Sequence, residues 1–282
     1  MRRPPLVPGG RRVDLHTHSF FSDGVLSPED LVARARLKGL AGLALTDHDS
    51  IEGVERAAAA AIVAGIDLVP GVELSSSLDG LDLHILGYYV NPDHPGLRER
   101  LEEFKQERRD RIVAIVGRLE ALGAVIALER VLALAGPGVV GRPHVAQALL
   151  EAGLVEHQED AFRRFLGAHG PAFVPRPAFS PTEAIALIHA ADGVSVLAHP
   201  GPQLAESIVE GLATAGLRGV EVWHPHHTSG TSRRYQALAD RLGLLETGGS
   251  DFHGEHRSLD LGDVGVPILL LERLKEAAGV SG

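Results

Sequence analysis

The chain has 282 residues, is 44% hydrophobic and 23% charged, and can therefore bury a sizeable core in one large domain or one domain with an insertion. A formal net charge of −10 argues against a broad basic surface for long duplex DNA but allows a local cationic pocket for a small anion. Cysteine is absent, which excludes a disulfide framework, a thiolate metal site and a cysteine nucleophile.

Val13-Asp14-Leu15-His16 reads as a first strand and runs into Thr17-His18-Ser19-Phe20-Phe21-Ser22-Asp23-Gly24. On a strand, residues i and i+2 share a face. His16 and His18 then project side by side, and Asp23 can return to them from the loop. Ser27-Pro28-Glu29-Asp30 supplies an N-cap, a proline at N1 and an acid at N3, and opens a helix to about Lys38. A buried strand over 41–46 ends in Asp47-His48-Asp49, and a helix follows over 52–64. A third strand over 66–72 ends at Glu73, and a fourth over 81–89 contains His84.

The texture then changes. Asn91 to Gly96 is a loop by composition, and 97–122 is one long, charge-rich helical pattern. Its mixture of Arg, Lys, Glu and Asp reads as a solvated, salt-bridged face. Shorter helical pieces follow near 127–134, 143–152 and 158–167. No alternating run appears between 91 and 171, which predicts an all-helical insertion. Ser180-Pro181-Thr182-Glu183 is a second capping box, and strand–helix alternation resumes. Strands over 194–198, 219–223 and 244–249 end in His199, His224 and Ser250-Asp251-Phe252-His253, with helices over 203–215, 229–242 and 271–278.

Seven strands alternating with helices predict an α/β fold, a parallel sheet closed into a barrel or nearly so; an open doubly wound sheet is the runner-up. The barrel domain would comprise 1–90 and 172–282, and the insertion 91–171. The polar groups sit at the C-terminal ends of strands, the face that carries barrel active sites. Collected in order, they are His16, His18, Asp23, His48, Glu73, His84, His199, Asp251 and His253. Without cysteine, such a donor set suits Mn, Fe, Zn or Mg.

The motifs resemble those of the PHP (polymerase and histidinol phosphatase) superfamily. They are His16-Thr17-His18 with Ser22-Asp23-Gly24, Thr46-Asp47-His48-Asp49, His199-Pro200, and Ser250-Asp251-Phe252-His253. The resemblance covers about 12–90 and 172–255. It implies a distorted (β/α)7 TIM-like barrel with three divalent metals, Mn2+ foremost and Fe2+, Zn2+ or Mg2+ as alternatives. By position, His16, His18, Glu73 and Asp251 would hold the first metal. Glu73, His84 and His199 would hold the second, with Glu73 bridging, and Asp23, His48 and His253 the third. Nine groups cannot saturate three metals, so water and substrate find open positions. A bridging water, made acidic by the metals, would be the nucleophile. Asp251 and His224 are the expected catalytic residues, with His224 placed to touch phosphate or protonate the leaving oxygen.

Phosphate binding needs local cations. Arg142, in Gly141-Arg142-Pro143-His144, precedes a helix start, where backbone N–H groups also favour anions. Arg176 follows Phe173-Val174-Pro175 where the insertion ends, and His144 either touches substrate or serves the helix start. His226 and His227 read as solvated loop residues, and Asp47 and Asp49 as groups that shape the loops around His48.

The insertion and the Gly-Arg-Pro-His segment resemble the branch of nucleoside 3′,5′-bisphosphate phosphatases, whose relatives also trim short RNA from the 5′ end. The expected partner is a small phosphorylated nucleotide or short single-stranded RNA. Histidinol phosphatase is the alternative, with the same metals and another pocket. An amidohydrolase-type C–N hydrolase is disfavoured, because Lys38, Lys105 and Lys275 all lie away from strand ends. A non-catalytic polymerase accessory module is disfavoured by the complete donor set. With no signal-peptide run after Met1-Arg2-Arg3 and no spanning apolar run, a cytoplasmic setting is expected.

Overall fold

A computed structural model describes residues 10–136, 138–175, 177–254 and 259–280. The chain divides into two units, one formed by 1–98 with 179–282 and the other by 99–178.

The first unit is built on eight strands. They are β1 (Arg12–Asp14), β2 (Gly42–Leu45), β3 (Asp67–Leu78), β4 (Leu81–Tyr88), β5 (Val194–Leu197), β6 (Gly219–Trp223), β7 (Leu245–Gly248) and β8 (Val266–Pro267). Their order in the sheet is β7-β6-β5-β4-β3-β2-β1-β8. β1, β2 and β3 run parallel, as do β5, β6 and β7. Past the strand ends the two edges meet: Leu15 N donates to Gly248 O (3.2 Å), His18 N donates to Phe252 O (2.9 Å), and Thr17 bridges Phe252 in parallel. The result is a nearly closed α/β barrel.

The expectation of a parallel sheet fails for β4, which is antiparallel to both β3 and β5. The cause is local. Asp79 and Gly80 form a two-residue loop with φ of 51° and 82°, and Leu78 pairs with Leu81 across it. Asp-Gly with both residues at positive φ is a type I′ hairpin, which reverses the chain and leaves no room for a crossover helix. The short β8, antiparallel to β1, had no signal in the sequence.

Helices α1 (Pro28–Leu37) and α2 (Val54–Ala64) cover β2, burying Leu31, Val32, Ala35, Ala57 and Ala61 against Leu43 and Leu45. Ser27 caps α1 by accepting from Asp30 N at 3.0 Å. The second unit holds most of α3 (Pro95–Ala121), then α4 (Leu128–Ala135), α5 (Arg142–Glu151) and α6 (Gln158–Ala161), which passes into a π-helical turn over Phe162–Leu166. These helices share a core that includes Ile115, Leu119, Val131, Val145 and Leu149. The chain returns through α7 (Pro181–Ala190), where Ser180 and Glu183 complete the expected capping box, and continues through α8 (Glu206–Thr214), α9 (Ser229–Leu242) and α10 (Ile268–Ala277). Among the described residues, no helix is long and apolar enough to cross a membrane.

The seam between β1 and β7 is tight at Gly249. A Cβ there would lie 2.4 Å from His16 N and 2.5 Å from His16 Cβ. Gly249→Ala should lower stability by about 1–3 kcal/mol, the usual cost of overpacking, and displace His16. Denaturant unfolding of metal-free protein checks this; wild-type stability would show that the seam yields.

Candidate metal centre

The two motif histidines lie just beyond β1 in a segment held on both sides, with Thr46 N donating to Thr17 O (2.9 Å) opposite the Phe252 contact. Both imidazoles are fully buried, with ring centroids 5.1 Å apart. Asp14 rivets the start of this segment: its carboxylate accepts from Ser250 N (2.9 Å) and Gly262 N (2.8 Å). The loop that brings Asp23 back is shaped by Asp47, which accepts from Ser19 N, Ser19 Oγ and Ser22 Oγ, each at 2.7 Å. Asp49 accepts from Ser75 N at 2.8 Å. Both acids therefore serve the loops around His48.

Glu73 occupies the centre. Its Oε1 lies 2.7 Å from His84 Nδ1 and 2.9 Å from His199 Nε2. Its Oε2 lies 3.1 Å from His16 Nε2, and 3.2 Å from both His18 Nε2 and His48 Nδ1. Asp251 Oδ1 adds contacts of 3.2 Å to His18 Nε2 and 3.5 Å to His16 Nε2. Asp23 Oδ1 lies 3.1 Å from His253 Nε2 and 4.0 Å from His48 Nε2. Three overlapping groups result: His16, His18, Glu73 and Asp251; His48, Glu73 and His84; and His18, Asp23, His48 and His253. Within each group the donor atoms lie within 4.8 Å of one another.

Glu73 sits differently from expectation, inside β3 and not at its end, whereas His84 lies within the fourth strand as expected but on a strand that runs the opposite way. The hairpin continues both strands beyond the site, and His84 pairs with Ser75, two residues past Glu73. The descending direction of β4 brings His84 level with donors that arrive on ascending strands.

Burial by itself would drive the carboxylates toward neutrality. The imidazoles outweigh it: His48 and His16 hold Glu73 well below the carboxylate range, His16 and His253 do so for Asp251, and His253 and His48 for Asp23. The imidazoles themselves diverge. Burial pushes His18 down, but the carboxylates of Asp251 and Glu73 prevail and raise it to about 9. Burial prevails at His48 and drives it down to about 3 against the pull of Glu73 and Asp23. The centre thus needs positive charge, and protons supply it where no cation does.

Whether divalent cations suit these residues can be judged from the polar atoms. His18 Nε2, Asp23 Oδ1 and His48 Nδ1 are buried without a hydrogen bond, although a carboxylate or imidazole lies within 3.2 Å of each. The angles do not make hydrogen bonds, and buried polar groups are rarely left so. A set of imidazole nitrogens and carboxylate oxygens gathered around shared points fits divalent metals.

The remaining candidates separate. His224 is buried, with Nε2 3.4 Å from Asp251 Oδ2, and its Nδ1 accepts from His226 N at 3.2 Å. His226 is exposed, as expected, but His227 is not a solvated loop residue. It is buried, lies 2.9 Å from Val222 O through Nδ1, and accepts from Gly201 N (3.1 Å), tying β6 to the loop after His199. In the helical unit, His144 takes the helix-start role, its Nδ1 accepting from Gly141 N at 3.0 Å. Arg142 opens α5 and donates to Leu166 O at 3.2 Å. Arg176 lies outside the described residues.

Glu221 was missed. It is fully buried on β6, 3.1 Å from His16 Nδ1, and accepts from His199 N at 2.8 Å. Its signal was a single carboxylate within the otherwise apolar Gly219-Val220-Glu221-Val222-Trp223. Asp14 was missed in the same way, as an acid at the head of the motif with no ligand role.

Barrel and donor set together define a metal-dependent hydrolase. A family model described as PHP domain matches residues 14–166, and the chain belongs to that family. A 5′-3′ exoribonuclease from Haemophilus influenzae is 37% identical over 270 residues, covering 92% of this chain and 98% of the relative. A 3′,5′-nucleoside bisphosphate phosphatase from Chromobacterium violaceum is 35% identical over 247 residues, covering 86% of this chain and 87% of the relative. A crystal structure from Bifidobacterium adolescentis, described as a metal-dependent phosphoesterase, superposes with a TM-score of 0.90 at 31% identity, covering 99% of both chains. The chain is a PHP metal-dependent phosphoesterase, a hydrolase of phosphoric esters.

Protons and metal compete for this site. With its value raised from 6.5 to about 9, His18 is protonated near neutral pH in the metal-free protein. That proton stabilises the metal-free fold fully below pH 6.5, and the contribution is lost as pH rises through about 9. Metal affinity should therefore rise with pH toward 9, with net proton release at pH 8 measured by calorimetry in buffers of different ionisation heat. Binding without proton release would contradict this charge balance.

Proposed function

We propose that the chain removes the 3′-phosphate from nucleoside 3′,5′-bisphosphates and, as a second activity on the same site, trims short RNA from the 5′ end. One observation carries the reading: near full-length similarity to relatives named for these two activities, in a chain where five imidazoles stand within 3.2 Å of Glu73. On this reading three divalent ions, Mn2+ foremost, occupy the centre. His16, His18, Glu73 and Asp251 hold one; Glu73, His84 and His199 hold another; Asp23, His48 and His253 hold the last. Bound there, the metals supply Lewis acidity to the phosphate oxygens and lower the pKa of water to make a nucleophile.

The chain's own residues supply the rest. Glu73 and Asp251 keep their charge in a buried setting and so remain donors at neutral pH. His224, beside Asp251, is the group assigned to give a proton to the departing ester oxygen. Arg142 is assigned to the second phosphate. Its guanidinium lies within about 6 Å of the Phe162 and Phe173 rings, which offer a face for cation–π contact. Residues 1–90 with 172–282 serve the metals and 91–171 serve substrate choice. The setting is cytoplasmic, with a small nucleotide or short single strand as partner.

A Mn2+-supplemented panel of pAp, histidinol phosphate and short 5′-phosphorylated RNA decides among these chemistries. The expected order places pAp first, with RNA trimmed more slowly; turnover of histidinol phosphate alone overturns the bisphosphate reading. Arg142→Ala should weaken pAp turnover about tenfold or more, the loss of one charge-assisted contact, while sparing an aryl phosphate. Equal losses on both substrates would remove Arg142 from recognition of the second phosphate.

A further inference from the structure

Glu221 lies in neither the family motifs nor the donor groups, yet it touches two donor residues at once. Its Oε1 sits 3.1 Å from His16 Nδ1, and its Oε2 accepts from His199 N at 2.8 Å. The opposite nitrogens of these same residues, His16 Nε2 and His199 Nε2, lie 3.1 Å and 2.9 Å from Glu73. The His16 imidazole is thus held between a carboxylate inside the donor cluster and one behind it, while at His199 the rear carboxylate grips the backbone and leaves the ring to Glu73. The second contact also bears on strain: His199 has φ of 25°, a conformation that side-chain-bearing residues rarely adopt and that surrounding contacts must maintain.

We propose that Glu221 is the positioning residue of the metal centre. By accepting a proton bond from His16 Nδ1 it leaves His16 Nε2 free to coordinate, and by accepting from His199 N it holds the strained backbone that aims the His199 ring. It contacts no substrate and is no ligand. A buried charge on an apolar strand is costly unless its partners repay it, and both of its partners belong to the centre.

The chemistry of an isosteric amide sharpens the claim. In Glu221→Gln, one carbonyl oxygen can serve His199 N–H, which turns the amide NH2 toward His16 Nδ1. A neutral His16 must then accept at Nδ1 and carry its proton on Nε2, the atom that faces Glu73 and Asp251. Rotating the amide instead sets two donors against each other at His199. Either way the metal-facing geometry suffers while the side-chain volume is kept.

The inference rests on the metal centre and not on the bisphosphate reading, so the substrate panel and this test fail separately. Mn2+ is titrated into chelator-stripped wild type, Glu221→Gln and Glu221→Asp by calorimetry, with thermal unfolding of each metal-free protein alongside. The expected result is an affinity loss of about 10–100-fold in both variants, while metal-free Glu221→Gln keeps the wild-type melting temperature. If Glu221→Gln does not fold when stripped, Glu221→Asp decides, because it keeps the charge and withdraws it by one methylene. Wild-type Mn2+ affinity in the folded variants, or a lowered melting temperature with affinity intact, overturns the proposal and leaves Glu221 a structural residue only.

Discussion

Everything in the barrel unit answers to one buried carboxylate. Glu73 is fully excluded from solvent, and five imidazoles stand within 3.2 Å of its two oxygens. A lone carboxylate in such a place would neutralise itself by taking up a proton, since the cost of burying an unpaired charge is prohibitive. Here the imidazoles keep it ionised, and Asp251 and Asp23 repeat the arrangement on either side. The centre is therefore built to hold negative charge in need of cations. That requirement fixes its donor types, its dependence on pH and its competition between protons and metal.

The barrel meets this requirement by bringing residues far apart in sequence to one end. His16 and His253 are separated by most of the chain, yet the segments that carry them are zipped together by the Thr17–Phe252 bridge. Three residues at the site, Asp49, His199 and Asp251, hold φ of 50°, 25° and 50°. Backbone strain of this kind survives only where surrounding contacts insist on it. Here those contacts are visible: Ser75 N on Asp49, and Glu221 behind His199. Stability is spent where donor geometry is needed, and the capped helices and apolar cores of each unit offset it.

Much of this was legible in the chain. The i, i+2 spacing of His16 and His18, the strand-terminal His48, His199 and Asp251, and the N-cap at Ser27 and capping box at Ser180 each carry a local signal with a physical cause. The reversal of β4 was equally local, written in Asp79-Gly80, but was overridden by the expectation that strand–helix alternation continues. What could not be read was non-local. Glu221 left a trace as the lone carboxylate of an apolar strand, but its contacts with His16 and His199, like those of Asp14 with Ser250 and Gly262, exist only once β6, β7 and the tail are folded around β1. His227 resembled its exposed neighbour His226 in sequence, and only the backbone groups of Val222 and Gly201 distinguish it. Composition separates buried from solvated histidines poorly, because an imidazole suits both.

The helical unit stands apart in character, with an apolar core of its own and a charged α3. The central claim is that Glu73 bridges bound divalent metals. A crystal structure of Mn2+-loaded protein, with anomalous data collected at the manganese edge, tests it most directly. The account predicts anomalous peaks within coordinating distance of both Glu73 oxygens, surrounded by His16, His18, His48, His84, His199 and Asp251. A loaded crystal in which no peak touches Glu73 would contradict it.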